Sequence, residues 1–178
     1  AGVLGGKMHK DTWNSLKKNP DISTISAERI RDEFIKGIKK SKSPQIYLKM
    51  LQKLNMFRQI FPGLKINTQY WGWRDYIIQI ACLLKDNSVI SVVKNKLKKL
   101  KYTNQEANDI WFLHMLINQA DYAIEYLPEV KKLQSNTKLS DKQIKMWAQS
   151  NPKYLKIIMK VWKWKLSVSP KDAIDKGL

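Results

Sequence analysis

The chain has 178 residues, 43% of them apolar, which is enough to bury a sizeable core and too apolar for a disordered tail. No run of about 18 apolar residues occurs, so no membrane-spanning helix is expected, and no signal-peptide pattern is visible. The formal charge is +18, from 33 lysines and arginines against 15 acids; an excess of that size repels itself in a compact fold and points to a polyanionic partner.

Apolar spacing and capping signals predict helices over residues 9–19, 26–40, 44–55, 69–85, 87–101, 104–118, 120–134, 140–149, 152–166 and 170–176. Asn-Gly and Asp-Gly hairpin signals are absent and no strand pair stands out, so the expected fold class is all-α, without a sheet. In 26–40, Ile30, Phe34 and Ile38 recur every four residues as a buried stripe, while Arg29, Lys36 and Lys40 point elsewhere. Ser43-Pro44, Asn151-Pro152 and Ser169-Pro170 each place a capping side chain before a first-turn proline. Thr103 with Glu106, and Ser140 with Gln143, read as capping boxes. In 152–166, Leu155, Ile158, Met159, Trp162 and Leu166 form an apolar face beside a stripe of Lys153, Lys156, Lys160 and Lys163. Divisions fall near Asn67-Thr68 and Ser135-Asn136-Thr137, neither of them a long flexible linker, which predicts contiguous helical subdomains.

The charge is unevenly spread. Residues 34–74, 87–105 and 142–171 contain no acid, whereas 102–130 carries Glu106, Asp109, Asp121, Glu125 and Glu129 and is expected to face away from the basic surface. Only Arg29, Arg31, Arg58 and Arg74 are arginines, so the excess is mostly lysine, a flexible point charge suited to phosphate. The candidate nucleic-acid contacts are Lys36, Lys39, Lys40 and Lys42; Lys94, Lys96, Lys98, Lys99 and Lys101; and Lys153, Lys156, Lys160 and Lys163. Among the seven tryptophans, Trp73 and Trp164 are the better candidates for stacking on unpaired bases.

No catalytic centre or metal site emerges. His9 and His114 lack a Cys or carboxylate cluster at ligand spacing. His114, in Trp111-Phe112-Leu113-His114-Met115-Leu116, reads as a helix-packing histidine. Asp172 and Asp175 need only capping and dipole roles. Val3-Leu4-Gly5-Gly6 looks like the glycine pair of a nucleotidyltransferase active site, but no strand context and no downstream Asp-x-Asp accompany it. Cys82, the one cysteine, sits in the apolar run 77–84 and is expected to be buried and inert; a single cysteine suits a reducing, cytoplasmic setting.

The segment Ile25-Ser26-Ala27-Glu28-Arg29-Ile30-Arg31-Asp32-Glu33-Phe34 is more specific. It resembles the Ser-x-Glu-Arg-Ile-x-x-Glu pattern that opens the RNA-binding body of bacterial-type CCA-adding enzymes and poly(A) polymerases. Residues 44–56 are similar to the family's next helix, and Arg58-Gln59-Ile60-Phe61-Pro62-Gly63-Leu64 to its Phe-Pro-x-Leu stop. Ala1 to Met8 looks like the end of the neck helix and its glycine turn, and Asp11-Thr12 fits the start of the following helix. Ser169-Pro170-Lys171-Asp172 only faintly resembles the family's C-terminal Gly-Lys-Asp-Leu element.

The resemblance implies that residues 1–67 are the end of the neck and the RNA-binding body, and 68–178 a helical body and tail region. It implies tRNA as the partner, with the body and tail holding the acceptor stem and T arm. Catalysis, Mg2+ and CTP or ATP would belong to a head whose motifs are absent here, supplied by a separate chain or lost. Ser26 is a good helix N-cap, Glu28 complements the helix dipole, and Arg29 is expected to pair with Asp32 or Glu33 or to fasten the body to the neck. Alternatives are a stand-alone basic helical protein for RNA or DNA and, ranked lower, a protein for anionic membranes.

Overall fold

The computed structural model describes residues 8–18 and 20–165. The readings made above for Ala1 to Lys7, for Leu166, for Ser169-Pro170 and for the terminal helix 170–176 with Lys171, Asp172 and Asp175 lie outside the described residues.

Eleven α-helices and no strand form among the described residues: α1 Lys10–Lys18, α2 Ala27–Lys40, α3 Pro44–Lys53, α4 Phe57–Ile60, α5 Tyr76–Leu84, α6 Ile90–Lys99, α7 Asn104–Asn118, α8 Ala120–Glu125, α9 Leu127–Ser135, α10 Asp141–Ser150 and α11 Leu155–Lys163, the last preceded by a 3-10 turn at Pro152–Tyr154. The helix starts follow the local signals. Ser26, Ser43, Asp75, Thr103 and Ser140 each accept a hydrogen bond from the backbone N–H three residues on, and Thr103 and Ser140 complete capping boxes with Glu106 and Gln143. Asn151 does not cap: its side chain donates to the Trp147 carbonyl and accepts from Lys85.

Three predicted helices differ in extent, and one short helix lies outside those predicted. The helix expected over 69–85 begins only at Tyr76, because Asp75 caps it and the preceding residues run in an irregular segment. The buried Gln79 amide faces that segment and, turned with its nitrogen toward it, donates to the carbonyls of Trp71 (2.6 Å) and Trp73 (3.3 Å). The helix expected over 120–134 breaks at Tyr126, which has φ −115° and ψ 52°; Pro128, two residues on, has no N–H to give the Ile124 carbonyl, and its ring crowds that carbonyl. The helix expected over 152–166 starts as a 3-10 turn, and its buried side chains are Ile158 and Val161, with Leu155 42% exposed. Finally, Phe57–Ile60 forms a one-turn helix that no periodicity could reveal.

The core is one apolar cluster running from Phe34 in α2 to Val161 in α11. Its axis is the pair α5 and α7. Every residue from Ile77 to Leu84 is buried, as is the run Phe112 to Leu116. Around this pair, α6 and α8 pack on α7, α2 and α10 on α5, and α11 on α7, α8, α9 and α10. Gly37 lets α2 approach α3: a Cβ there would collide with the Tyr47 ring, so the helix accepts a residue that costs roughly 1 kcal/mol in its interior. By contrast, α1 buries no residue.

Two buried groups match their expected roles. Cys82 is buried, with its thiol pushed up to about 11 by loss of solvent, which keeps it in the unreactive thiol form. His114 is buried in the packing between α5 and α7, where Nε2–H donates to the Ala81 carbonyl at 2.8 Å.

Candidate nucleic-acid interface

The lysines proposed from sequence occupy three places. Lys36, Lys39 and Lys40 lie on the C-terminal half of α2 and Lys42 in the link to α3, all exposed. Arg74 organises this corner. Its guanidinium donates to the carbonyls of Lys39 (3.1 Å), Ser41 (2.7 Å) and Lys42 (3.2 Å), which satisfies the open C-terminal end of α2. Lys39 Nζ sits 4.6 Å from the centre of the Tyr76 ring, and Lys36 pairs with Glu33 at 3.6 Å. Sequence reasoning missed Arg74 as a positioning residue; only its isolation as one of four arginines marked it.

The second group belongs to α6 and its end. Lys98, Lys99 and Lys101 are exposed, whereas Lys94 and Lys96 are half-buried, Lys94 with Nζ 5.6 Å from the centre of the Trp111 ring. Lys101 adopts φ 62°, the left-handed conformation that closes a helix in a Schellman motif: Tyr102 N donates to Leu97 O and Lys101 N to Lys98 O. Glycine or asparagine normally fills that position, and lysine there costs roughly 1 kcal/mol. Asn55 fills the equivalent place after α3, at φ 56°. Arg31 of α2 donates through Nη1 to the Lys101 carbonyl, while its Nε and Nη2 hold Asp32 at 2.9 and 2.8 Å. That bond joins the α2 group to the α6 group.

The third group lies on and before α11. Lys153, Lys156, Lys160 and Lys163 are all exposed, with Lys153 Nζ 5.4 Å from the Tyr154 ring centre. The helix is anchored from behind: Lys131 of α9 donates to the Trp162 carbonyl at 2.7 Å, and Trp162 Nε1 donates to Asp141 at 2.7 Å. Burial lowers the affinity of Lys131 for its proton. Among the described residues, no carboxylate lies within ion-pair distance of a lysine of the second or third group.

Two acids of the stretch 102–130 serve the fold. Glu106 caps α7 and accepts a short hydrogen bond from Tyr76 Oη. Asp109 accepts from Gln105 Nε2 (2.9 Å) and Lys138 N (3.0 Å), and burial raises its pKa. Asp121, Glu125 and Glu129 are exposed on α8 and α9, helices that pack against α11.

The motif residues resolve as follows. Ser26 caps α2, accepting from Arg29 N at 3.3 Å. Glu28 and Arg29 are exposed in the first turn. The expected pairing of Arg29 with Asp32 or Glu33 does not form; Arg31 takes Asp32 instead, and Arg29 borders an apolar groove with Ile25, Ile30 and Phe34. Of the two stacking candidates, Trp73 lies on Trp71 with ring centres 6.0 Å apart and nearly parallel planes, and donates to Ser150 Oγ at 2.8 Å. Trp164 follows α11 and is half-exposed. Among the described residues no three His, Cys, Asp or Glu side chains converge as metal ligands. No helix among them is long and apolar enough to cross a membrane.

No curated protein and no solved structure matches the chain. A family model does match, over the stretch that contains Ser26, Arg31 and the first lysine group: residues 6–67 are similar to the family described as the probable RNA- and SrmB-binding site of polymerase A.

Proposed function

We propose that this chain is the tRNA-holding body and tail of a CCA-adding nucleotidyltransferase, presenting the tRNA 3′ end to a catalytic head that carries the Mg2+ and nucleotide chemistry. The observation that carries the reading is the Arg31–Lys101 bond. It ties the RNA-binding segment 6–67 to the lysines of α6, so basic charge outside the matched segment continues the charge within it. Lysines without opposing carboxylates engage phosphates and release counterions, and an RNA duplex offers shape and phosphate rather than readable base edges.

Competition binding tests this. A tRNA should displace a bound RNA probe far better than a DNA duplex of equal length, with affinity falling roughly a thousandfold between about 50 and 200 mM salt if some six phosphates are engaged. Equal competition by the DNA duplex overturns the tRNA reading.

One observation favours a second reading, a stand-alone basic RNA-binding protein. The lysines at 94–101 and 153–163 lie outside the matched residues. The natural gene product decides between the two: a mass of roughly twice this chain, as a head of ordinary domain length requires, supports the first, and a product of this size with no separately encoded head supports the second.

A further inference from the structure

We infer that the chain holds one unpaired nucleotide in a pocket where the α5–α6 link, the end of α7 and the α10–α11 joint meet. The pocket encloses about 440 Å³, within the range of roughly 300–1,000 Å³ typical of small-ligand sites. Its walls combine the three groups a nucleotide requires: cations from Lys85 and Lys153, an aromatic ring from Tyr154, and amides from Asn118 and Gln69.

The hydrogen-bond inventory shows what is left for a ligand. Lys85 Nζ donates to Ser150 O (3.3 Å) and Asn151 Oδ1 (3.4 Å), so the ammonium is fixed at the pocket wall with one of its three donors uncommitted. Asn118 spends one N–H on the His114 carbonyl (3.1 Å), leaving its second N–H and its oxygen. The side chains of Gln69 and Ser88 and the Tyr154 hydroxyl bond to no described protein atom, although all three residues border the pocket. Lys153 holds its charge over the Tyr154 ring, which presents aromatic and cation together.

The remaining charged wall decides between ligand classes. Asp86, which accepts from Asn67 Nδ2 at 2.8 Å, also lines the pocket. A carboxylate there opposes a bare anion or an acidic peptide but accepts readily from the amino group of a base. The base therefore stacks on Tyr154 with its edge on Asn118, Gln69 and Asp86, and the phosphate rests on Lys85 and Lys153. Lys153 also begins the α11 stripe, so the pocket opens beside a basic track. The inference rests on the RNA reading only for the source of the nucleotide: a looped-out or terminal residue of a bound strand.

Two measurements on the full chain test it. In the first, the 15N-labelled protein is titrated separately with nucleoside monophosphates and with inorganic phosphate. The backbone amides of Asn118, Ser150 and Tyr154 should shift saturably with the monophosphates and not with phosphate. In the second, anisotropy compares a blunt RNA hairpin with the same hairpin carrying one bulged nucleotide. The bulge should improve binding about tenfold, the effect of one base–aromatic stack. Tyr154→Ala, or Asn118→Ala if the first variant melts early, should abolish that advantage and leave the blunt hairpin's affinity unchanged. Absence of the amide shifts, identical shifts with phosphate alone, or a bulge advantage that survives both variants overturns the pocket. If neither hairpin binds while monophosphates still shift the three amides, the RNA source fails and the nucleotide pocket stands.

Discussion

The buried His114 ring makes part of the fold's stability depend on pH. Burial pushes its pKa down to about 4 from an ordinary 6.5, against the smaller opposing effect of the Ala81 carbonyl. The folded state therefore keeps the ring neutral where the unfolded chain already binds a proton. The corresponding stability is fully present above pH 6.5, is lost as pH falls toward 4, and amounts to about 3 kcal/mol over that window. Urea unfolding at pH 7, 6, 5 and 4.5 should show this decline, and His114→Gln should flatten it whatever its stability at pH 7. Parallel pH profiles for the two proteins would contradict the assignment. The Nδ1 atom, buried without a partner, adds to the cost of this site, and the Trp147 ring packs at a tilt with its centre 5.9 Å away.

At the scale of elements, the helix starts were legible because capping is local. Ser26, Ser43, Thr103 and Ser140 announce their helices within three residues. The irregular segment before α5 was not legible, because Trp71 and Trp73 are as apolar as helix residues; the Gln79 amide that meets their carbonyls lies six to eight positions along the chain. The break between α8 and α9 was written in Pro128, but apolar periodicity on both sides of it masked the interruption. Of the candidate interface, the lysine groups could be read from charge alone. The Arg31 and Arg74 bonds that position two of them could not, since they span 70 residues and 32 to 35 residues.

Lys101→Gly relieves a left-handed lysine while keeping the carbonyl that Arg31 needs, so the protein should gain roughly 0.5–1 kcal/mol of stability by urea unfolding. The same variant should lower RNA affinity and make its salt dependence shallower by about one phosphate contact. A gain in stability with unchanged RNA binding would show that Lys101 does not serve the interface.

For the whole molecule, the dominant fact is +18 of charge on a fold whose described residues form three ion pairs, one of them through a histidine. Self-repulsion of that kind is screened by salt, and the Debye length falls from roughly 30 Å at 10 mM to 8 Å at 150 mM. The melting temperature of the RNA-free protein should therefore rise by several degrees over that range, followed by circular dichroism. A flat or falling dependence would mean that the positive patches are already neutralised within the fold.

The continuity of the core reaches beyond stability. Phe34, Leu48 and Phe61, from the segment that has the polymerase A pattern, are buried in the same cluster as Ile78, Leu113 and Ile158, which lie outside it, and Asn67 N donates to Leu83 O across the boundary. A cut at residue 67 would bare apolar surface on both pieces. The matched third is therefore not a cassette that can be transplanted alone, and insertion, duplication or exchange must act on a unit reaching at least to α11.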